Sequence, residues 1–179
     1  MDRLSPISKK VCMLGSYGVG KSSIVRQFVY GKFETKYLST IGVHFSHKTL
    51  SPSENERNKL SGPLKLIMWD LAHIEKLGEA RKNYIAGAHA AIAVFDLSRP
   101  KTVGELDASI STFMDLNPDA KIILVGNKND LVASTGHVLD EIDRLRLPVR
   151  QTVIFTSAKK GKNVKTVFAK LGDMLVNEE

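Results

Sequence analysis

Two clusters in this 179-residue chain have the residue types and spacing needed to handle a phosphorylated ligand. The first is Gly15-Ser16-Tyr17-Gly18-Val19-Gly20-Lys21-Ser22, directly after the apolar run Val11-Cys12-Met13-Leu14. It fits G-x-x-x-x-G-K-[ST] in the strand-to-helix setting that the pattern requires. The glycines let the backbone turn tightly, so that successive N–H groups point inward around a β-phosphate. Lys21 adds a mobile cation for the β- and γ-phosphates, the Ser22 hydroxyl suits Mg²⁺, and the following helix N-terminus adds its dipole. A chance match to this pattern in a chain of ordinary glycine content is roughly a one-in-a-hundred event, so a plain glycine turn is set aside.

The second cluster, Gly126-Asn127-Lys128-Asn129-Asp130, follows the apolar run Ile122-Ile123-Leu124-Val125. A carboxylate at Asp130 accepts hydrogen bonds from the ring N–H and the exocyclic amine of guanine together. Adenine offers no such donor pair and would leave the buried carboxylate unsatisfied. The stem of Lys128 suits the face of the ring, and Asn127 suits a tie to the phosphate loop. A third strand end, Thr156-Ser157-Ala158-Lys159, supplies backbone N–H groups for the base carbonyl. Alone, Asn127 to Asp130 reads more readily as a polar turn than as a base-binding motif. Its place after a phosphate loop, on successive strand ends, favours the base-reading role.

Such clusters need strands to carry them. Val11–Leu14, Ala90–Phe95, Ile122–Val125 and Val153–Phe155 are short apolar runs bounded by Gly, Asn, Asp or Ser, the pattern of strands buried on both faces. Val164, Val167, Phe168, Leu171, Met174 and Leu175 fall on one helical stripe. Val43, Phe45, His47 and Thr49 alternate, as do Leu64, Leu66 and Met68, and the polar stretch Ser51 to Gly62 reads as a hairpin tip. The order predicts a mostly parallel α/β sheet with one antiparallel strand, helices on both faces, and a ligand crevice beyond the carboxyl ends of the strands.

Composition agrees. Hydrophobic residues are 42% and charged residues 25%, ordinary for a folded domain, and the length suits one domain. The balance of 26 Lys+Arg against 19 Asp+Glu, +7, points to an anionic partner. The single cysteine, Cys12, excludes an internal disulfide framework and a Cys-based metal cluster. No apolar run reaches the roughly 20 residues of a membrane span, and Met1 to Lys10 lacks the apolar core of a secretory signal.

With these motifs the chain resembles the Ras superfamily of small GTPases, most closely the Rab family, from about Lys9 to Val176. The resemblance implies a P-loop NTPase small G domain over residues 9–176, with a six-stranded sheet, an N-terminal extension at 1–8 and a short end at 177–179. It implies GTP or GDP with Mg²⁺ as ligands, held by the phosphate loop from Ser16 through Ser23 and by the base loops. Phe33, Tyr37 and Thr40-Ile41-Gly42 match the first switch: Phe33 against the guanine, Tyr37 over the phosphates, Thr40 on Mg²⁺ and the γ-phosphate. Trp69-Asp70-Leu71-Ala72-His73-Ile74-Glu75 stands where the family has W-D-T-A-G-Q-E, with Asp70 holding the Mg²⁺ shell through water. Phe45, Trp69 and Tyr84 match an aromatic triad that Rab proteins present to effectors, and ordinary core packing is the competing reading.

Three departures bear on hydrolysis. Ile74 replaces the glutamine that orients the attacking water, His73 replaces a glycine whose N–H meets the γ-phosphate, and Tyr17 stands where Gly or Ser is usual. A phenol there crowds the space of an arginine finger worth roughly 10³–10⁵ in rate. Of the expected catalytic residues only Lys21 and Thr40 remain, which predicts GTP binding with very slow hydrolysis. Two alternatives stand: a normally cycling switch in membrane traffic that positions water by another group, such as His73, or a GDP-preferring binding module. Protein effectors and an exchange factor are the expected partners of a monomer, with no nucleic acid. The expected location is cytoplasmic, or peripheral at membranes. The chain stops at Asn177-Glu178-Glu179 without the prenylated cysteines of Rab tails, and Cys12 falls in a buried strand. Lys159, Lys160, Lys162, Lys165 and Lys170 form an acid-free basic stretch that reads as a solvated face or as a membrane-facing one.

Overall fold

The run Val11–Leu14 divides its side chains between two faces. Val11 and Met13 enter one apolar cluster, Cys12 and Leu14 another, and all four are buried. That is the period of a strand covered on both sides. The computed structural model describes residues 5–34, 43–51, 62–71, 80–145 and 152–176. The strands are β1 (Ile7–Leu14), β2 (Val43–Leu50), β3 (Leu64–Leu71), β4 (Ala90–Asp96), β5 (Lys121–Asn127) and β6 (Thr152–Phe155). They form a sheet of order β2-β3-β1-β4-β5-β6 in which β2 alone runs antiparallel to its neighbour. The fold is therefore the expected one.

The helices are α1 (Lys21–Tyr30), α2 (Ala80–Ile85), α3 (Lys101–Gly104), α4 (Leu106–Leu116), α5 (Gly136–Asp143) and α6 (Val164–Val176). Alternation continues through β4 and β5. Ile92, Val94, Ile123 and Val125 face α1 and α6, whereas Ala93, Phe95, Ile122 and Leu124 face the cluster completed by Val103, Phe113 and Val138. The stripe expected in α6 is buried at Val164, Val167, Phe168, Leu171 and Leu175, with Met174 partly covered. Phe168 stacks on Phe28 of α1 with centroids 3.6 Å apart, locking the two helices of one face together. No helix among the described residues is long and apolar enough to cross a membrane.

The strand β1 begins earlier than its apolar run suggests. Ile7 pairs in register with Leu64, and its N–H donates to Pro63 O at 3.0 Å. Ile7 and Ser8, expected in the N-terminal extension, thus belong to the sheet, because backbone ladder bonds need no apolar side chains. The hairpin pairing is as read: Leu50 lies opposite Leu64, while 52–61 of the tip lie outside the described residues. Registers Met13↔Asp70 and Asp96↔Asn127 bring the carboxyl ends of the parallel strands to one edge. Both chemical clusters sit on that edge.

Candidate functional site

The phosphate loop occupies the six residues between Leu14 and Lys21. Gly15 has φ 131°, and a Cβ there would fall inside the carbonyl of Val94, so the loop passes against β4 only without a side chain. Gly20, φ 102°, is the left-handed residue that starts α1. The first turn of α1 holds no acid and its cap position makes no side-chain bond, so the positive end of its dipole faces the loop. Lys21 curls back across the loop, its Nζ donating to Gly15 O at 2.6 Å and Ser16 O at 2.9 Å.

Asp70 reaches the same place from the end of β3. It is buried, it accepts a hydrogen bond from the Ser22 side chain, and its Oδ1 has no partner among the described residues. Burial pushes its carboxyl above the ordinary range, against the pull of Ser22 and of the Lys21 charge. An orphaned buried carboxylate oxygen beside a hydroxyl is a hard-oxygen donor set that suits Mg²⁺. Among the described residues no group of three His, Cys, Asp or Glu side chains offers a competing metal site.

The base side is built around Asn127 at the end of β5. Its Nδ2 donates to Val19 O at 3.0 Å, while its Oδ1 accepts from Ala158 N at 3.1 Å and Thr156 Oγ1 at 3.2 Å. One buried amide thus holds the phosphate loop to both base loops, as its position suggested. The Ala158 N–H, expected to face the base carbonyl, is engaged by Asn127 here. Asp130 is the middle residue of a short 3-10 turn, Asn129–Leu131, and its Oδ1 accepts a 2.6 Å bond from Ser157 Oγ, which in turn accepts from Lys160 N. Ser157 is therefore a positioner of the carboxylate. Lys159 is exposed beside it.

Lys128 adopts φ 65°, and its Nζ lies 2.7 Å from Oδ2 of Asp96, a wholly buried acid at the end of β4. Asp96 also accepts from Ser98 N and Oγ and from Arg99 Nε. Burial alone would push this carboxyl up, but the bonds from Lys128, Ser98 and Arg99 hold it below the ordinary carboxylate range. Asp96 and Arg99 belong to neither the phosphate-loop nor the base-loop motifs. Their one signal is an acid closing the otherwise apolar run Ala90–Phe95, a position where an unpaired charge is not tolerated.

The remaining expected residues divide. Tyr17 is 50% exposed, its ring outside the core and its carbonyl accepting from Arg99 Nη2 at 3.1 Å. Ser16 Oγ donates to Glu105. Gly18 is the remaining positive-φ glycine of the loop, Val19 is buried, and Ser23 lies in the first turn of α1. Phe33 is exposed beyond α1. Tyr37, Thr40, His73 and Ile74 lie outside the described residues. Phe45 meets Trp69 edge-on at 4.4 Å and Trp69 lies 6.4 Å from Tyr84. Trp69 and Tyr84 pack against the core cluster, with the Lys10 ammonium 3.9 Å from the indole centroid, whereas Phe45 is 57% exposed. The triad is partly core and partly surface: core packing describes Trp69 and Tyr84, and Phe45 is the exposed member.

Comparison with known sequences agrees with this geometry. A sequence model of the Ras family matches residues 10–177. The chain is 32% identical over 171 residues to the Ras-related protein RabC of Dictyostelium discoideum, covering 94% of this chain and 82% of that protein. It is 38% identical over 138 residues to the Ras-related protein Rab-32B of the same organism, covering 74% of this chain and 50% of that longer protein.

Proposed function

The chain belongs to the Ras family as a Rab-like small GTPase, and from that premise we propose a switch that holds GTP or GDP with Mg²⁺ and hydrolyses GTP very slowly. Guanine selectivity rests on Asp130, which Ser157 holds in place before any base arrives. A base without the matching donor pair leaves that carboxylate unsatisfied, which is where large discrimination comes from. Lys21, drawn over the loop by two carbonyls, exchanges them for phosphate oxygens carrying full charge. Ser22 and Asp70 would hold Mg²⁺, which neutralises phosphate charge when bound; by family resemblance Thr40 completes that set.

Hydrolysis asks the protein to orient a water and to neutralise the charge that develops on the phosphoryl oxygens. Ile74 carries no hydrogen-bonding group for the first task. The observation that carries the slow-hydrolysis reading is Tyr17. Its backbone is tied by Arg99 while its ring stays half-exposed at the mouth of the loop, where a water-positioning group or an arginine finger must enter. A ring absorbed into the core would not obstruct that mouth. The exposed Phe45, continuous with Trp69 and Tyr84, supports effector binding on the adjoining surface.

Single-turnover hydrolysis of preloaded GTP tests the proposal. The expected result is a rate far below that of a glutamine-containing relative, raised by Ile74→Gln and raised again when Tyr17→Ser is added. Turnover equal to that relative in the unmodified protein refutes slow hydrolysis.

A further inference from the structure

We propose that Arg99 is a positioning residue that fastens the phosphate loop to the base-reading loop through Asp96, and that this clasp sets how long nucleotide stays bound. The inference rests on the nucleotide-binding function proposed above and turns on Asp96 and Arg99, which no phosphate-loop or base-loop motif contains.

The connection is continuous. Lys128, inside the base-reading motif, places Nζ 2.7 Å from Asp96 Oδ2. Arg99 Nε donates to the same oxygen at 2.8 Å, and its Nη2 donates to the Tyr17 carbonyl at 3.1 Å. The other carboxylate oxygen is occupied by Ser98 N and Oγ at 2.9 and 2.6 Å, so Asp96 cannot rotate without breaking several bonds at once. Thr102 closes the turn from below: its Oγ1 accepts from Asp96 N at 2.9 Å and donates to Arg99 O at 2.7 Å. Ser16 is tied independently, through its hydroxyl, to Glu105.

Position explains the need. Residues 16 and 17 lie between glycines with positive φ, Gly15 at 131° and Gly18 at 74°. Glycines sample many backbone states, and the N–H groups of this stretch must converge on phosphate. Holding the intervening residues from the β4 end removes that freedom before binding, and less ordering entropy is then lost with each nucleotide captured. A guanidinium suits the task because two of its nitrogens point along fixed directions to two different acceptors. A lysine ammonium has a single nitrogen that would have to reach both acceptors from one point, whereas the guanidinium uses Nε for one and Nη2 for the other.

A charge-assisted hydrogen bond of this kind corresponds to about a tenfold change in an equilibrium or rate. The test measures release of fluorescent GDP and GTP analogues from the Mg²⁺-loaded protein and from its Arg99→Ala and Arg99→Lys variants. Hydrogen exchange in excess GDP provides the second readout. The expected result is about tenfold faster release of both nucleotides from Arg99→Ala, with nearly equal acceleration in Arg99→Lys. Exchange should rise across residues 15–20 and stay unchanged in β4, β5 and α6. Unchanged release in both variants overturns the proposal, as does full rescue by Arg99→Lys, which would assign the effect to the ion pair alone. Faster exchange throughout the sheet also overturns it, because Arg99 would then be a fold-stabilising residue. An unmodified protein that binds neither analogue refutes the underlying nucleotide-binding function, a result distinct from any of these.

Discussion

Gly20→Ala should cost much less in a protein that has already lost Asn127. The substitution carries two separable penalties. A side chain at φ 102° is strained by roughly 1–2 kcal/mol. Its Cβ would also fall on Asn127 Nδ2, closer than the 3.0 Å that real Cβ atoms keep, and the amide must then leave Val19 O. A buried carbonyl left without its donor costs about 1–3 kcal/mol, so the single variant loses roughly 2–5 kcal/mol. Asn127→Ala removes the partner of Val19 O, Ala158 N and Thr156 Oγ1 together, for roughly 3–5 kcal/mol. In the double variant the collision has no target and the Val19 bond is already gone, so only backbone strain is added. The cycle should therefore show a coupling of about 1–3 kcal/mol. Urea unfolding of the four proteins at one fixed, saturating GDP concentration measures it, since the bound ligand shifts apparent stability. Additivity within about 0.5 kcal/mol would refute the claim that Gly20 is small for the sake of Asn127.

Asp96→Asn should destabilise the fold by roughly 2–3 kcal/mol at neutral pH, less than for a fully buried pair because Lys128 and Arg99 remain partly solvated. Because the folded Asp96 carboxyl titrates below its ordinary range, its contribution is complete above about pH 4 and disappears as pH falls through the lowered folded value. The stability gap between the two proteins, followed by urea unfolding across pH, should close on the acid side. Ser157→Ala removes the 2.6 Å bond that holds Asp130 and should weaken guanine nucleotide binding by about tenfold, by calorimetry, with little change in unfolding. Removing Mg²⁺ with a chelator should speed GDP release from the unmodified protein. Asp70→Ala should release GDP quickly from the outset, and chelation should then add little; a preserved chelator response would separate Asp70 from the cation.

How much of this was legible beforehand differs residue by residue. Gly15, Gly20, Lys21, Asn127 and Asp130 stood out because their roles demand particular residue types at short spacing: a φ that only glycine takes easily, a cation after it, a carboxylate at a strand end. The strands were legible for a similar reason, since burial on both faces leaves few residue types for Ala90–Phe95 or Ile122–Val125. The start of β1 was not, because Ile7 pairs through backbone atoms that every residue carries. The bond from Ser157 Oγ to Asp130 and the engagement of Ala158 N–H were also hidden, being choices among neighbouring donors that only three-dimensional packing makes.

The sequence by itself determined the family pattern and its departures: the residue types of a phosphate loop, a carboxylate at the end of a later strand, a parallel sheet to carry them, and Ile74 and Tyr17 on which the proposed slow hydrolysis rests. Tertiary structure alone decided how the parts are joined. Arg99 and Tyr17 are 82 positions apart, and Asn127 and Val19 are 108 apart. Such pairs meet only because the register of β1, β4 and β5 places their carboxyl ends on one edge. A local pattern records what a residue can do with its near neighbours; which distant partner receives a guanidinium or a buried amide is settled by the sheet order, and with it the stiffness of the site.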